Sequence, residues 1–126
     1  VLAIVSGGAE PAAEIGDAPQ PEFFAPEDLP WFEAPSGIRS KQIVSDESAN
    51  WTVGIKRYPE GVAAQRHRHA GDELVFVIEG ESKDESGTIT PGNMAYMPYG
   101  TEHTFETDTG ATVLTVEWGR KENLPA

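Results

Sequence analysis

Gly61-Val62-Ala63-Ala64-Gln65-Arg66-His67-Arg68-His69-Ala70-Gly71-Asp72-Glu73-Leu74-Val75-Phe76-Val77-Ile78-Glu79-Gly80 is the stretch on which the reading of this chain turns. His67 and His69 are two apart, so on an extended strand both project from one face. Ala70-Gly71-Asp72 is short and turn-prone, which lets the chain bend and return the Glu73 carboxylate toward the same point. With Glu73 facing inward, alternation puts Val75 and Val77 on the inner face and Leu74, Phe76 and Ile78 on the outer one. Both faces of that strand are then apolar. Something must pack outside it, either the N-terminal aromatic segment or a partner subunit.

A second block follows, from Gly92 through Pro98, Gly100 and His103 to Thr107. His103 comes just after the Pro98-Tyr99-Gly100 turn, on a separate strand. It is the last of the three histidines in the chain, so none falls outside these two blocks. His67, His69, Glu73 and His103 make a mixed nitrogen and oxygen set. Such a set suits one divalent transition metal, with Fe or Mn favoured and Zn, Ni, Co or Cu compatible, rather than Mg or Ca.

The two blocks resemble the two signature motifs of the cupin superfamily. The first matches at Gly61, His67, His69, Glu73 and Gly80, the second at Gly92, Pro98, Gly100 and His103; Thr107 stands where the family usually has Asn. The short separation, Glu81 to Pro91, is similar to that of small single-domain cupins of the RmlC-like kind. The resemblance covers about Arg39 to Trp118 and implies an all-β cupin β-barrel, a jelly roll or double-stranded β-helix. It also implies the metal site and a homodimer, and it is specific for the fold rather than for a reaction.

The residues themselves lead to a compatible architecture. A chain of 126 residues with 38% apolar content has room for one core. Strands are expected at Ile38–Val44, Trp51–Tyr58, Val62–His67, Leu74–Glu79, Met94–Met97, His103–Glu106 and Thr112–Trp118, with Gly- and Pro-containing turns between them. Glu81 and Asp84-Glu85 fit a solvated hairpin. Residues 1–22, rich in Gly, Ala, Pro and acid, read as a flexible N-terminal arm ahead of a barrel domain at 23–126. Phe23, Phe24, Leu29, Trp31 and Phe32 are costly to leave in water and are expected to dock on the barrel or on a second subunit.

Composition removes several functions. A formal charge of −12, from 9 Lys and Arg against 21 Asp and Glu, argues against nucleic acid or an anionic membrane as partner. The absence of cysteine removes disulfides, thiolate metal sites and cysteine catalysis. Val1-Leu2-Ala3-Ile4-Val5 is too short and lacks the basic flank of an intact secretory signal, and no stretch is long enough to span a membrane. A cytoplasmic location is the expectation. Ser6-Gly7-Gly8 lacks the Lys-Ser/Thr of a phosphate loop.

For the pocket, Trp51 and Val53 share one strand face, Phe105 shares the face of His103, and Trp118 lies on a third strand. With Gln65 these are the candidate lining residues. Glu73 and Tyr96 are the candidate proton-moving groups. Arg66 and Arg68 have the opposite parity to the histidines and are expected to point outward. A four-ligand site on an octahedral ion keeps two positions open, which favours a non-haem dioxygenase acting on a small chelating substrate. The resemblance extends to small cupin dioxygenases that cleave diketones, quercetin-like enols or thiols. Alternatives are a non-redox metal-dependent lyase or isomerase, and a ligand-binding or sensor module similar to the cupin domain of ChrR-type anti-sigma factors.

Overall fold

A computed structural model of the chain describes residues 18–119 and the backbone of 121–123. The described residues are nearly all β. The strands are β1 (Phe32–Glu33), β2 (Arg39–Asp46), β3 (Trp51–Tyr58), β4 (Ala63–His69), β5 (Glu73–Gly80), β6 (Ser82–Asp84), β7 (Gly87–Ile89), β8 (Met94–Met97), β9 (Glu102–Glu106), β10 (Ala111–Trp118) and β11 (Lys121–Asn123). One 3-10 turn, Pro26–Asp28, precedes them. Two antiparallel sheets form, in the orders β1-β2-β3-β10-β5-β8 and β11-β4-β9-β6-β7. The expected arm at residues 1–22 lies outside the described residues up to position 17.

Burial along β5 alternates as its sequence requires: Glu73, Val75 and Val77 are buried, while Leu74 and Phe76 are half-buried and Ile78 is exposed. Val75 and Val77 meet Val113 and Ala111 of β10 and Met97 of β8 in the core, with Tyr58, Ile89 and Ala95 packed against it. Two glycines are fixed by close approach. A Cβ on Gly80 would lie 1.9 Å from the Gly110 carbonyl, and one on Gly71 would lie 1.7 Å from the Trp118 carbonyl. Gly71 therefore lets the loop between His69 and Glu73 lie against the end of β10, where the Trp118 amide donates to the Asp72 carbonyl at 2.9 Å.

The aromatic segment docks in part. Trp31 is half-buried, and its ring faces Lys41 Nζ at 4.4 Å and the guanidinium carbons of Arg57 and Arg39 at 4.9 and 5.7 Å. Lys41 is itself buried and donates to the Pro26 carbonyl at 2.8 Å, so the segment is held by a cation–π contact and a charge-assisted hydrogen bond. Leu29 is half-buried as well. Phe23, Phe24 and Phe32 do not dock on the barrel of their own chain, where they are exposed at 93%, 51% and 64%. Beyond Trp31 the outer face of the six-stranded sheet carries Val53, Leu114, Val116, Leu74 and Phe76, half-buried, next to exposed Val44, Ile78 and Met94.

Candidate metal centre

Strand pairing brings the histidines together. β4 and β9 are neighbours in register with His67 opposite His103, and His69 follows two residues along on the same face. The chain ends of His69 are tied by two backbone bonds, its amide donating to the Thr101 carbonyl at 2.9 Å and its carbonyl accepting from the Gly100 amide at 2.8 Å. His67, His69 and His103 are 7%, 2% and 8% exposed, too buried to be surface residues. Their ring centroids lie 4.6 to 4.9 Å apart. One nitrogen from each falls within 4.8 Å of the other two, so the three can hold a metal ion.

The donor set fits a transition metal on two further observations. The Nε2 atoms of His69 and His103 are 2.9 Å apart. Two imidazole lone pairs that close repel each other unless a proton or cation lies between them. About 3 Å is also the separation of two nitrogens bound roughly 2.1 Å from one ion at right angles. The opposite ring nitrogens meet oxygen: His67 Nδ1 is 2.9 Å from the Gln65 carbonyl, and His103 Nδ1 is 2.8 Å from Asp84 Oδ2. His69 Nδ1 has Glu73 Oε1 at 3.6 Å. Acceptors on the Nδ1 side keep the proton there and leave Nε2 as the donor to a metal.

Glu73, 3% exposed, starts β5 in the facing sheet. It lies against His69 but outside the group of three whose donor atoms fall within 4.8 Å of one another. Beside it on the inner face is Glu117 of β10, which accepts from Lys56 Nζ at 3.0 Å.

His67 and His103 open on a cavity of about 700 Å³ between the sheets, large enough for a small molecule. Gln65 and Phe105 line it, as do Tyr58, Val75, Ile89 and Met97 among apolar residues and Lys56 and Asp84 among charged ones. Tyr58 and Phe105 stack with ring centroids 4.2 Å apart. The other expected lining residues fall elsewhere. Val53 pairs with Val116 on the outer face, and Trp51 pairs with the 38% exposed Trp118 at the end of β3 and β10. The reason lies in β3: its inward residues are Thr52, Gly54 and Lys56, opposite Glu117, Thr115 and Val113, so the more polar face is the inner one.

Tyr96 reaches the cavity rim, yet it pairs with Leu74 and is 47% exposed, which puts it on the outer face rather than among the histidines. Desolvation, then the charge and hydrogen bond of Asp72, push its phenol above the usual value. Arg66 and Arg68 point outward, to Glu85 at 3.2 Å and Glu102 at 3.7 Å. Asp84 and Glu85 do form the tip of a hairpin, β6–β7, but both carboxylates are engaged with β9. Asp84 meets His103, while Glu85 accepts from the Thr104 amide and hydroxyl at 2.8 and 2.7 Å. The sequence signal for that role was slight, two adjacent acids before Ser86-Gly87.

Two antiparallel sheets enclosing a three-histidine pocket define a small cupin. The chain belongs to the family described as the ChrR cupin-like domain, whose model matches residues 19–121. Solved structures of the same fold include an RmlC-like cupin from Ralstonia eutropha JMP134, at 20% identity and TM-score 0.75, covering 85% of this chain and 78% of that one. An acetylacetone dioxygenase from Acinetobacter johnsonii is similar at 15% identity and TM-score 0.75, covering 93% and 85%. The complex of Rhodobacter sphaeroides SigE with the anti-sigma ChrR contains a chain similar at 24% identity and TM-score 0.65, covering 72% of this chain and 50% of that one. At these identities the likeness is one of fold. No curated protein matches the chain, and among the described residues no helix is long and apolar enough to cross a membrane.

Proposed function

We propose that this chain is a metal-dependent cupin that takes a small chelating molecule into its cavity and acts as a non-haem dioxygenase. The observation that carries it is the set of three buried histidines, with His69 and His103 nitrogens 2.9 Å apart, of which His67 and His103 line a cavity of about 700 Å³. A structural metal site is closed by protein ligands, whereas a site open to a cavity has room for a substrate. His67, His69 and His103 would hold the ion, and Glu73 is the anionic group beside them. When bound, iron or manganese supplies Lewis-acid polarisation of the substrate and the capacity to use dioxygen. The chain's own residues bind and shield: Tyr58, Phe105, Ile89 and Met97 exclude water, and Lys56, held by Glu117, is the polar contact on the opposite wall. Two copies pair, on this proposal, through the apolar outer face that Trp31 leaves uncovered, and the protein works in the cytoplasm.

A second reading is favoured by the family match. The domain senses a small ligand, and the metal is part of the sensor rather than a catalyst. Oxygen consumption separates the two. Protein reconstituted with Fe(II) or Mn(II) is mixed with acetylacetone, quercetin or a small thiol in an oxygen electrode. Oxygen uptake that His103→Ala abolishes is expected; saturable binding of the compound without uptake contradicts the dioxygenase reading and leaves the sensor.

A further inference from the structure

Asp84 places a side-chain carboxylate within hydrogen-bond distance of the His103 ring. Its Oδ2 accepts from His103 Nδ1 at 2.8 Å, and its Oδ1 accepts from the Ser86 amide at 2.7 Å, so both oxygens are anchored. Its neighbour does a different job. Glu85 grips the amide and hydroxyl of Thr104 and reaches Arg66 at 3.2 Å, fastening the hairpin to β9 and β4 without an imidazole contact. Depression of the Glu85 pKa to about 2, caused first by the Thr104 amide and then by its hydroxyl, reflects that grip. Fastening and aiming are thus divided between adjacent residues.

From this geometry we infer that Asp84 is a positioning residue of the metal centre: it holds His103 with its proton on Nδ1 and turns Nε2 toward His69 and His67. The inference rests on the metal reading of the three histidines. His67 receives the equivalent support from a backbone carbonyl, which no substitution removes. His103 depends on a side chain 19 residues earlier in the chain, carried by the hairpin tip. A carboxylate on the far nitrogen fixes the tautomer, restricts ring rotation and raises the basicity of the ligating nitrogen.

The test is metal affinity, measured by titrating metal-free protein with Zn²⁺ and Co²⁺ against a competing chelator, together with the visible absorption of the Co²⁺ form. Asp84→Ala is expected to weaken binding about 10- to 100-fold and to alter the Co²⁺ bands. Asp84→Asn keeps an oxygen acceptor and the size of the side chain but removes the charge, so its loss is smaller; Asp84→Glu restores part of the affinity. Glu85→Ala, which loosens the same hairpin, keeps affinity within about threefold of the parent. Circular dichroism of each metal-free variant establishes that it folds, and the near-isosteric Asn variant carries the test where Ala does not fold. A parent that binds tightly with Asp84 variants equal to it overturns this inference alone. So does an equal loss in Glu85→Ala, which would make the hairpin generally structural. A parent that binds neither ion overturns the metal reading and this inference with it.

Discussion

Replacing Gly71 with Ala is a severe change made with one methyl group. The added Cβ would lie 1.7 Å from the Trp118 carbonyl oxygen, about 1.7 Å short of the 3.4 Å at which ordinary contact begins, and 2.4 Å from its carbon. Neither neighbour is a flexible side-chain end, so backbone must move. The movement parts the end of β10 from the loop and strains two hydrogen bonds, Trp118 amide to Asp72 carbonyl at 2.9 Å and Gly119 amide to Asn50 carbonyl at 3.0 Å. At a net ~1 kcal/mol per bond, with overpacking strain of ~1–2 kcal/mol, the loss is about 3 to 4 kcal/mol. For a domain of this size that lowers Tm by roughly 10 to 20 °C. Thermal unfolding of the metal-free proteins measures it, with metal kept out so that binding does not enter. Gly61→Ala is the comparison: its Cβ meets nothing within 4 Å, and only the left-handed φ of +73° is penalised, at ~1–2 kcal/mol. A Gly71→Ala protein that melts no lower than Gly61→Ala would refute the close-approach argument.

Other substitutions probe the site and the surfaces. Glu73→Gln, which replaces the buried carboxyl beside His69, is expected to weaken metal binding about tenfold or more, whereas Tyr96→Phe on the outer face leaves it unchanged; chelator competition reads both. Glu85 has a folded pKa of about 2 against 4.5 for the free group, so its stabilising contribution is complete above about 4.5 and is lost as pH falls toward about 2. Glu85→Gln should therefore flatten the acid limb of the stability curve in that window, as followed by unfolding midpoints against pH. Phe76→Glu on the outer face should give a monomer by sedimentation if two copies pair there, and an unchanged mass would move the interface elsewhere.

The centre was legible because its spacing is local. His67 and His69 share a face by the period of a strand, and a turn of three residues starts the next strand at Glu73, so the first block carries its own geometry. The strand positions followed from turn residues for the same reason. The choice of inner face on β3 and β10 did not. On β3 the apolar residues lie on the outer face and the more polar ones on the inner face, so Trp51, Val53 and Trp118 looked like lining while Lys56 did not. Register shifts between Gln42 and Val44, Ala64 and His67, and Thr112 and Val113 also displace the alternation that a sequence reading carries forward. Asp84 was hidden for another reason. Its contact with His103 is created by hairpin docking between separate strands, and nothing in the acids around it distinguishes Asp84 from Glu85.

Elemental analysis of protein purified without chelator or affinity nickel, beside His69→Ala and His103→Ala, tests the central claim most directly. The expected result is close to one transition-metal ion per chain in the parent and loss of it in both variants, with Arg68→Ala, which faces Glu102 on the outside, retaining it. Equal metal content in all four proteins, or none in a folded parent that also fails to take up added Zn²⁺, Fe²⁺ or Mn²⁺, would contradict the account.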